Sequence, residues 1–204
     1  MDHQHTLQLN DSGSVYMCSG CKEIGLGSNY TCQNSTCNYI LHEECAEPVK
    51  HAVHPFFKNS TFEFYEKAVG GGFCDACGKD LLGFFYCSRT GEALHPCCFN
   101  LEKNISDILT LSHQLPSDCV HCKQRHVVRN NFQGWSYVVN SNGKTCVHVS
   151  CFKDMILLKL TNRSKGRMRS FLKFTGKLAL NMLIDIATGD ITNSIYTIIE
   201  ALSS

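Results

Sequence analysis

Cys18-Ser19-Gly20-Cys21 is answered, after a spacer, by Ile40-Leu41-His42-Glu43-Glu44-Cys45-Ala46. A Cys-x2-Cys pair on a tight turn directs two sulfurs to one tetrahedral ion, and His-x2-Cys on a first helical turn presents two more donors from one face. The same pattern returns as Cys74, Cys77, His95 and Cys98, and again as Cys119, Cys122, His148 and Cys151. One Cys-x2-Cys alone would carry little, because cysteine is common as a small buried hydrophobe; three complete quartets make an internal repeat.

The composition says why such a chain needs metal. The 204 residues carry 14 Cys and 10 His at a formal charge of +1. Units this small bury too little apolar surface to offset chain entropy, and four bonds to zinc supply the missing folding energy. A disulfide framework fits the even cysteine count but leaves the histidines at fixed offsets unexplained. The opening Met1-Asp2-His3-Gln4-His5 lacks the apolar run of a signal peptide, so reduced thiols in the cytoplasm or nucleus are expected.

A second donor set is interleaved with the first quartet. His5 lies ahead of it, Cys32 and Cys37 fall between its pairs, and His51 and His54 follow, so two zinc ions can be cross-braced in this segment. The order of donors, with Tyr30-Thr31-Cys32, Asn38 to Ala46 and His51-x2-His54-Pro55, resembles the plant cysteine/histidine-rich divergent C1 domain. That family is related to the diacylglycerol-binding zinc module of protein kinases, and the resemblance extends from residue 1 to about 153. It implies one ion on Cys18, Cys21, His42 and Cys45, and a second on His5, Cys32, Cys37 and His54, with His51 as the alternative to His54. Cys32 and Cys37 are separated by four residues where the family usually has two.

The later copies are degenerate. Residues 73–99 look like a typical later repeat of the family, with Thr90 read as standing where a partner of Cys87 belongs. A threonine hydroxyl is a poor zinc ligand, so Cys87 and Cys97 are read as structural thiols. The third copy has no second Cys pair between Cys122 and His148; Cys146 is read as a buried thiol, and His113, His121 and His126 match no quartet. About four zinc ions follow, two in the first module and one in each of the others.

The expected fold is therefore a tandem of small zinc-stabilised α+β modules, each a short antiparallel sheet with a short helix, followed by a C-terminal helical hairpin. The boundaries drawn are 1–54, 55–112, 113–154 and a basic, amphipathic tail over 155–204. Thr61–Tyr65 and Trp135–Val139 read as strands, and a helical turn is expected at each His-x2-Cys. In the tail, Met155 to Ile184 contains no acidic residue, and Ile191, Ile195, Ile198, Ile199 and Leu202 form an apolar stripe. Asn181, Asp185 and Asp190 break the longest apolar run of the tail too early for a membrane span.

Full ligand sets leave no open coordination position, which favours a non-enzymatic, zinc-stabilised module that binds a protein partner; the resemblance adds plant stress, defence or hormone signalling. Diacylglycerol is disfavoured, because the segment between Cys21 and Cys32 lacks the Pro and Gln of the kinase groove. The basic tail offers a membrane surface as the alternative, and Lys123, Arg125 and Arg129 near Trp135 offer nucleic acid a weaker one. A thiol-disulfide reductase is disfavoured because every Cys-x2-Cys has a His-x2-Cys partner at zinc spacing.

Overall fold

A computed structural model describes residues 3–11, 15–68, 70–105, 109–127 and 132–155. The expected helical hairpin falls on 156–204 and lies outside the described residues. Two units divide the chain, residues 1–101 and 102–204.

The first unit opens with strands Leu7–Asn10 (β1), Val15–Met17 (β2), Ile24–Leu26 (β3), Asn29–Cys32 (β4) and Ile40–Leu41 (β5), then helix Glu43–Ala46 (α1). It continues with His51–Val53 (β6), Thr61–Tyr65 (β7), Phe85–Ser88 (β8), Ala93–Leu94 (β9) and helix Pro96–Phe99 (α2). The second unit holds Asn104–Ile105 (β10), Leu109–Ser112 (β11), Ser136–Val139 (β12) and Cys146–His148 (β13), with a helix over 149–155. The sheets run β1-β4-β5, β6-β7-β8-β9 and β10-β11-β12-β13, and β2-β3 is a separate hairpin. All pairings between these strands are antiparallel.

Register makes the repeat exact enough to superpose by residue. Tyr30 pairs with Leu41, Tyr86 with Leu94 and Tyr137 with Val147, each partner being the residue before the quartet histidine. On the other side these tyrosines face Leu9, Phe64 and Leu111. Each helix starts directly after the quartet histidine; Glu43 and Glu44 favour the N-terminal dipole of α1, and Pro96 occupies a first-turn position of α2 where no N–H is needed.

The module boundaries differ from those read off the sequence. The spacing of the motifs places His51–Val53 in the first module and residues 104–112 in the second, but β6 pairs with β7 and β10 with β11. The segment after one module's helix becomes the edge strand of the next module's sheet. The cause is the unpaired edge of β7 and of β11, which a short extended linker satisfies.

Within the first unit the two modules pack directly. The Phe84 N–H donates to the Gly20 carbonyl at 3.1 Å, the Val49 N–H donates to the Tyr86 hydroxyl at 3.1 Å, and the Phe84 ring joins the cluster around Cys18, Cys21, Leu41 and Cys45. A Cβ on Gly83 would stand 1.9 Å from the Gly20 carbonyl oxygen. Gly83→Ala is therefore expected to push the modules apart and cost about 1–3 kcal/mol in urea denaturation, as overpacking does. Zinc per chain should not change, because no donor is touched.

Candidate metal centres

Each Cys-x2-Cys sits on the same backbone turn. The first cysteine's N–H donates to the carbonyl five positions on (Cys18 to Glu23, Cys74 to Lys79, Cys119 to Gln124, each 2.9 Å), while Lys22, Gly78 and Lys123 N–H groups donate back to the first cysteine's carbonyl. Closing this turn requires a left-handed residue after the second cysteine, and Lys22, Gly78 and Lys123 have φ of 66°, 71° and 59°. The turn aims both sulfurs inward, and the helix start delivers the His and third Cys opposite them.

Among the described residues, four tetrads result: His3, His5, Cys32, Cys37; Cys18, Cys21, His42, Cys45; Cys74, Cys77, His95, Cys98; and Cys119, Cys122, His148, Cys151. In each, the donor atoms lie within 4.8 Å of one another. A tetrahedral zinc with ordinary Zn–S and Zn–N bonds separates its donors by about 3.5–3.8 Å. The imidazole Nδ1 of His42 lies 3.3 Å from Cys21 Sγ and 3.8 Å from Cys45 Sγ; Cys77 to His95 is 3.5 Å, Cys122 to His148 3.4 Å and Cys151 to His148 3.8 Å. Thiols converging on imidazoles at these distances fit zinc, and the four clusters can each hold one ion.

Outer contacts differ among the tetrads. His95 Nε2 faces the Asp80 carbonyl at 3.2 Å, which fixes the tautomer that leaves Nδ1 toward the sulfurs, and the His95 N–H donates to Cys74 Sγ at 3.5 Å. The His148 N–H likewise reaches Cys119 Sγ at 3.4 Å, but its buried Nε2 has no partner among the described residues. The quartets of the first and second modules are wholly buried, whereas Cys122 and Cys151 of the third and most of the histidine-rich tetrad are partly open.

Burial pushes the Cys74 thiol well up, and the neighbouring Cys74 and Cys98 sulfurs push Cys77 up in the same direction. Both are thiols, not thiolates, near neutral pH before metal enters, so zinc must displace their protons. Apparent zinc affinity of the second module should therefore rise with pH, about tenfold per pH unit for each proton released. A chelator competition at pH 6 and pH 8 measures it; a flat profile would mean the sulfurs are already ionised.

The histidine-rich tetrad corrects the expected ligand set. Its fourth member is His3, whose Nε2 lies 3.3 Å from Cys37 Sγ, while His5 Nδ1 lies 3.5 Å from Cys32 Sγ. His3 is stacked on Tyr39 with ring centroids 4.1 Å apart. The sequence did carry a signal: His3 and His5, at i and i+2 just ahead of a strand, fall on one face of an extended chain. Among the described residues, His54 joins no tetrad. It is buried edge-on against Phe56 and Phe99, its Nδ1 accepts the Phe56 N–H at 3.2 Å, and burial lowers its pKa, holding it neutral. His51, the alternative, lies exposed on β6 opposite Glu63.

Register also revises the reading of the lost sites. Leu7 faces Cys32, Phe62 faces Ser88 and Leu109 faces Val139, so Ser88 and not Cys87 occupies the place of Cys32. In the second module that corner is closed by hydrogen bonds: Ser88 and Thr90 hydroxyls both donate to the Glu92 carboxylate, and Ser60 meets Thr90 at 3.1 Å. In the third it is closed by buried Leu109 and Val139. Cys87 instead donates its S–H to the Ser88 carbonyl, and Cys146 is buried against the Ser117 carbonyl. Cys97, from α2, packs beside the first module's quartet as an additional thiol outside any tetrad.

Residues 2–46 match the family model described as C1 domain. The match includes all eight donors of the first module's two tetrads and ends before His51 and His54. No curated protein and no solved structure gives a match.

Proposed function

We propose that this chain is a non-enzymatic, zinc-dependent protein-interaction module, a reading supported by the match of residues 2–46 to the C1 domain model and by the two candidate zinc tetrads they carry. One observation carries the reading: every tetrad supplies four protein donors within 4.8 Å of one another, so zinc held there is coordinatively full and serves to fix surface loops and strands. Catalytic zinc sites keep a position for water, and these have no vacant donor place. The Cys-x2-Cys pairs each lie beside a His-x2-Cys partner, which argues against the free exposed thiolate that a dithiol reductase needs.

The resemblance to plant divergent C1 proteins supports a place in stress, defence or hormone signalling inside the cell. No helix among the described residues is long and apolar enough to cross a membrane. Affinity capture with the zinc-loaded full chain, beside the same chain treated with chelator, tests the reading. A defined partner retained only by the zinc-loaded form is the expected result. Zinc-independent reduction of insulin disulfides by the chain would overturn it in favour of an oxidoreductase.

A further inference from the structure

Among the described residues, the repeated sheet has four strands in the second and third copies and three in the first. In the second sheet, β6 lies antiparallel to β7 with His51 opposite Glu63 and Ala52 opposite Phe62. In the third, β10 lies antiparallel to β11 with Asn104 opposite Thr110 and Ile105 opposite Leu109. Glu63 and Thr110 correspond to Gln8, and Phe62 and Leu109 to Leu7, by their shared pairing with the next strand. Among the described residues, no strand lies on the outer edge of β1.

The two occupied edges show what that edge is built to take. The Phe64 N–H donates to the Lys50 carbonyl at 3.1 Å, and the Leu111 N–H to the Lys103 carbonyl at 2.7 Å. Tyrosines add a second anchor: Tyr86 accepts the Val49 N–H at 3.1 Å, and Tyr137 donates to the Glu102 carbonyl at 3.2 Å. Both incoming segments read Lys, then a polar residue, then an aliphatic one: Lys50-His51-Ala52 and Lys103-Asn104-Ile105. In β1 the equivalent amide is that of Leu9, and the equivalent hydroxyl, Tyr30, is turned to the exposed Glu47 carboxylate at 2.7 Å.

We infer that the outer edge of β1 is a docking site for an extended segment of a protein partner, bound antiparallel as an added strand with the order Lys, polar, aliphatic. The inference rests on the interaction-module reading and assigns it a surface. Main-chain hydrogen bonds supply the affinity, as in other cases of strand addition, and the side-chain order supplies selectivity. Zinc is coupled to the site because His3 and His5 precede β1 and Cys32 ends β4, so the histidine-rich tetrad holds the docking strand at the sheet.

The probe is a fluorescent peptide with the sequence of residues 48–53, Pro-Val-Lys-His-Ala-Val, titrated against the zinc-loaded full chain, with amide hydrogen exchange read at Leu9. Saturable binding with at least about tenfold slower exchange at Leu9 is expected, and a scrambled peptide should bind at least about tenfold more weakly. Leu9→Pro removes the donor at an edge position where proline is tolerated and should abolish binding with zinc content intact; Leu9→Ala should bind within about threefold of the parent. Equal binding by both variants, or binding without protection of Leu9, overturns the inference. Leu9 protection without peptide that grows with protein concentration also overturns it, because the edge would then be filled by a second copy. Should a captured partner bind Leu9→Pro as well as the parent, this inference fails while the interaction-module reading stands; absence of any zinc-dependent partner removes both.

Discussion

Stepwise chelation should unfold this protein in an order set by burial and donor type. The histidine-rich tetrad and the third quartet, each partly open, are expected to release zinc first, and the fully buried quartets of Cys18 and Cys74 last. The His95 contact to the Asp80 carbonyl strengthens that order, since losing such an outer contact typically costs about 10–100-fold in metal affinity. Structural zinc contributes about 10–16 kcal/mol to small modules at neutral pH, far more than sheets of two- to five-residue strands can replace. Elemental analysis, thiol titration and far-UV circular dichroism on the same samples follow the process. Full zinc loss with retained ellipticity would show that the sheets stand without metal.

His3→Ala should lower zinc from four ions per chain to three, while His54→Ala should leave four. The first substitution removes a donor 3.3 Å from Cys37 Sγ and the ring stacked on Tyr39, so exchange should quicken along β1 as well. The second removes a neutral imidazole packed against Phe56 and Phe99, at a cost of about 1–3 kcal/mol in stability and nothing in zinc. The reverse pattern would return the fourth ligand to the position the family order implies. Cobalt substitution separates the two further, because loss of one imidazole changes the visible absorption of that site alone.

Most of the metal chemistry was legible in the chain itself. Cys-x2-Cys and His-x2-Cys are local devices: a tight turn and one helical turn place their donors whatever surrounds them, so the three quartets, and the helical turns after them, could be read from spacing. Strand Thr61–Tyr65 was equally local, as an alternating aromatic run. The other assignments depended on which strands meet. His54 lies close to the first module in sequence, yet β6 carries the chain into the second sheet and His54 follows it into an aromatic core, while His3 returns to Cys37 through the pairing of β1 with β4.

The lost sites make the same division sharper. The spacing reads Cys87, with Thr90 in its partner's place, as the remnant of the second site, but antiparallel pairing sets Ser88 in the position of Cys32, and a shift of one residue turns a side chain to the opposite face of the sheet. The sequence by itself determined the donors that spacing can hold within one turn, and with them the zinc quartets. Only the tertiary structure decided the fourth ligand of the histidine-rich tetrad, the sharing of linker strands between modules and the closure of each vacated corner, because strand register and edge pairing are set between segments distant in the chain.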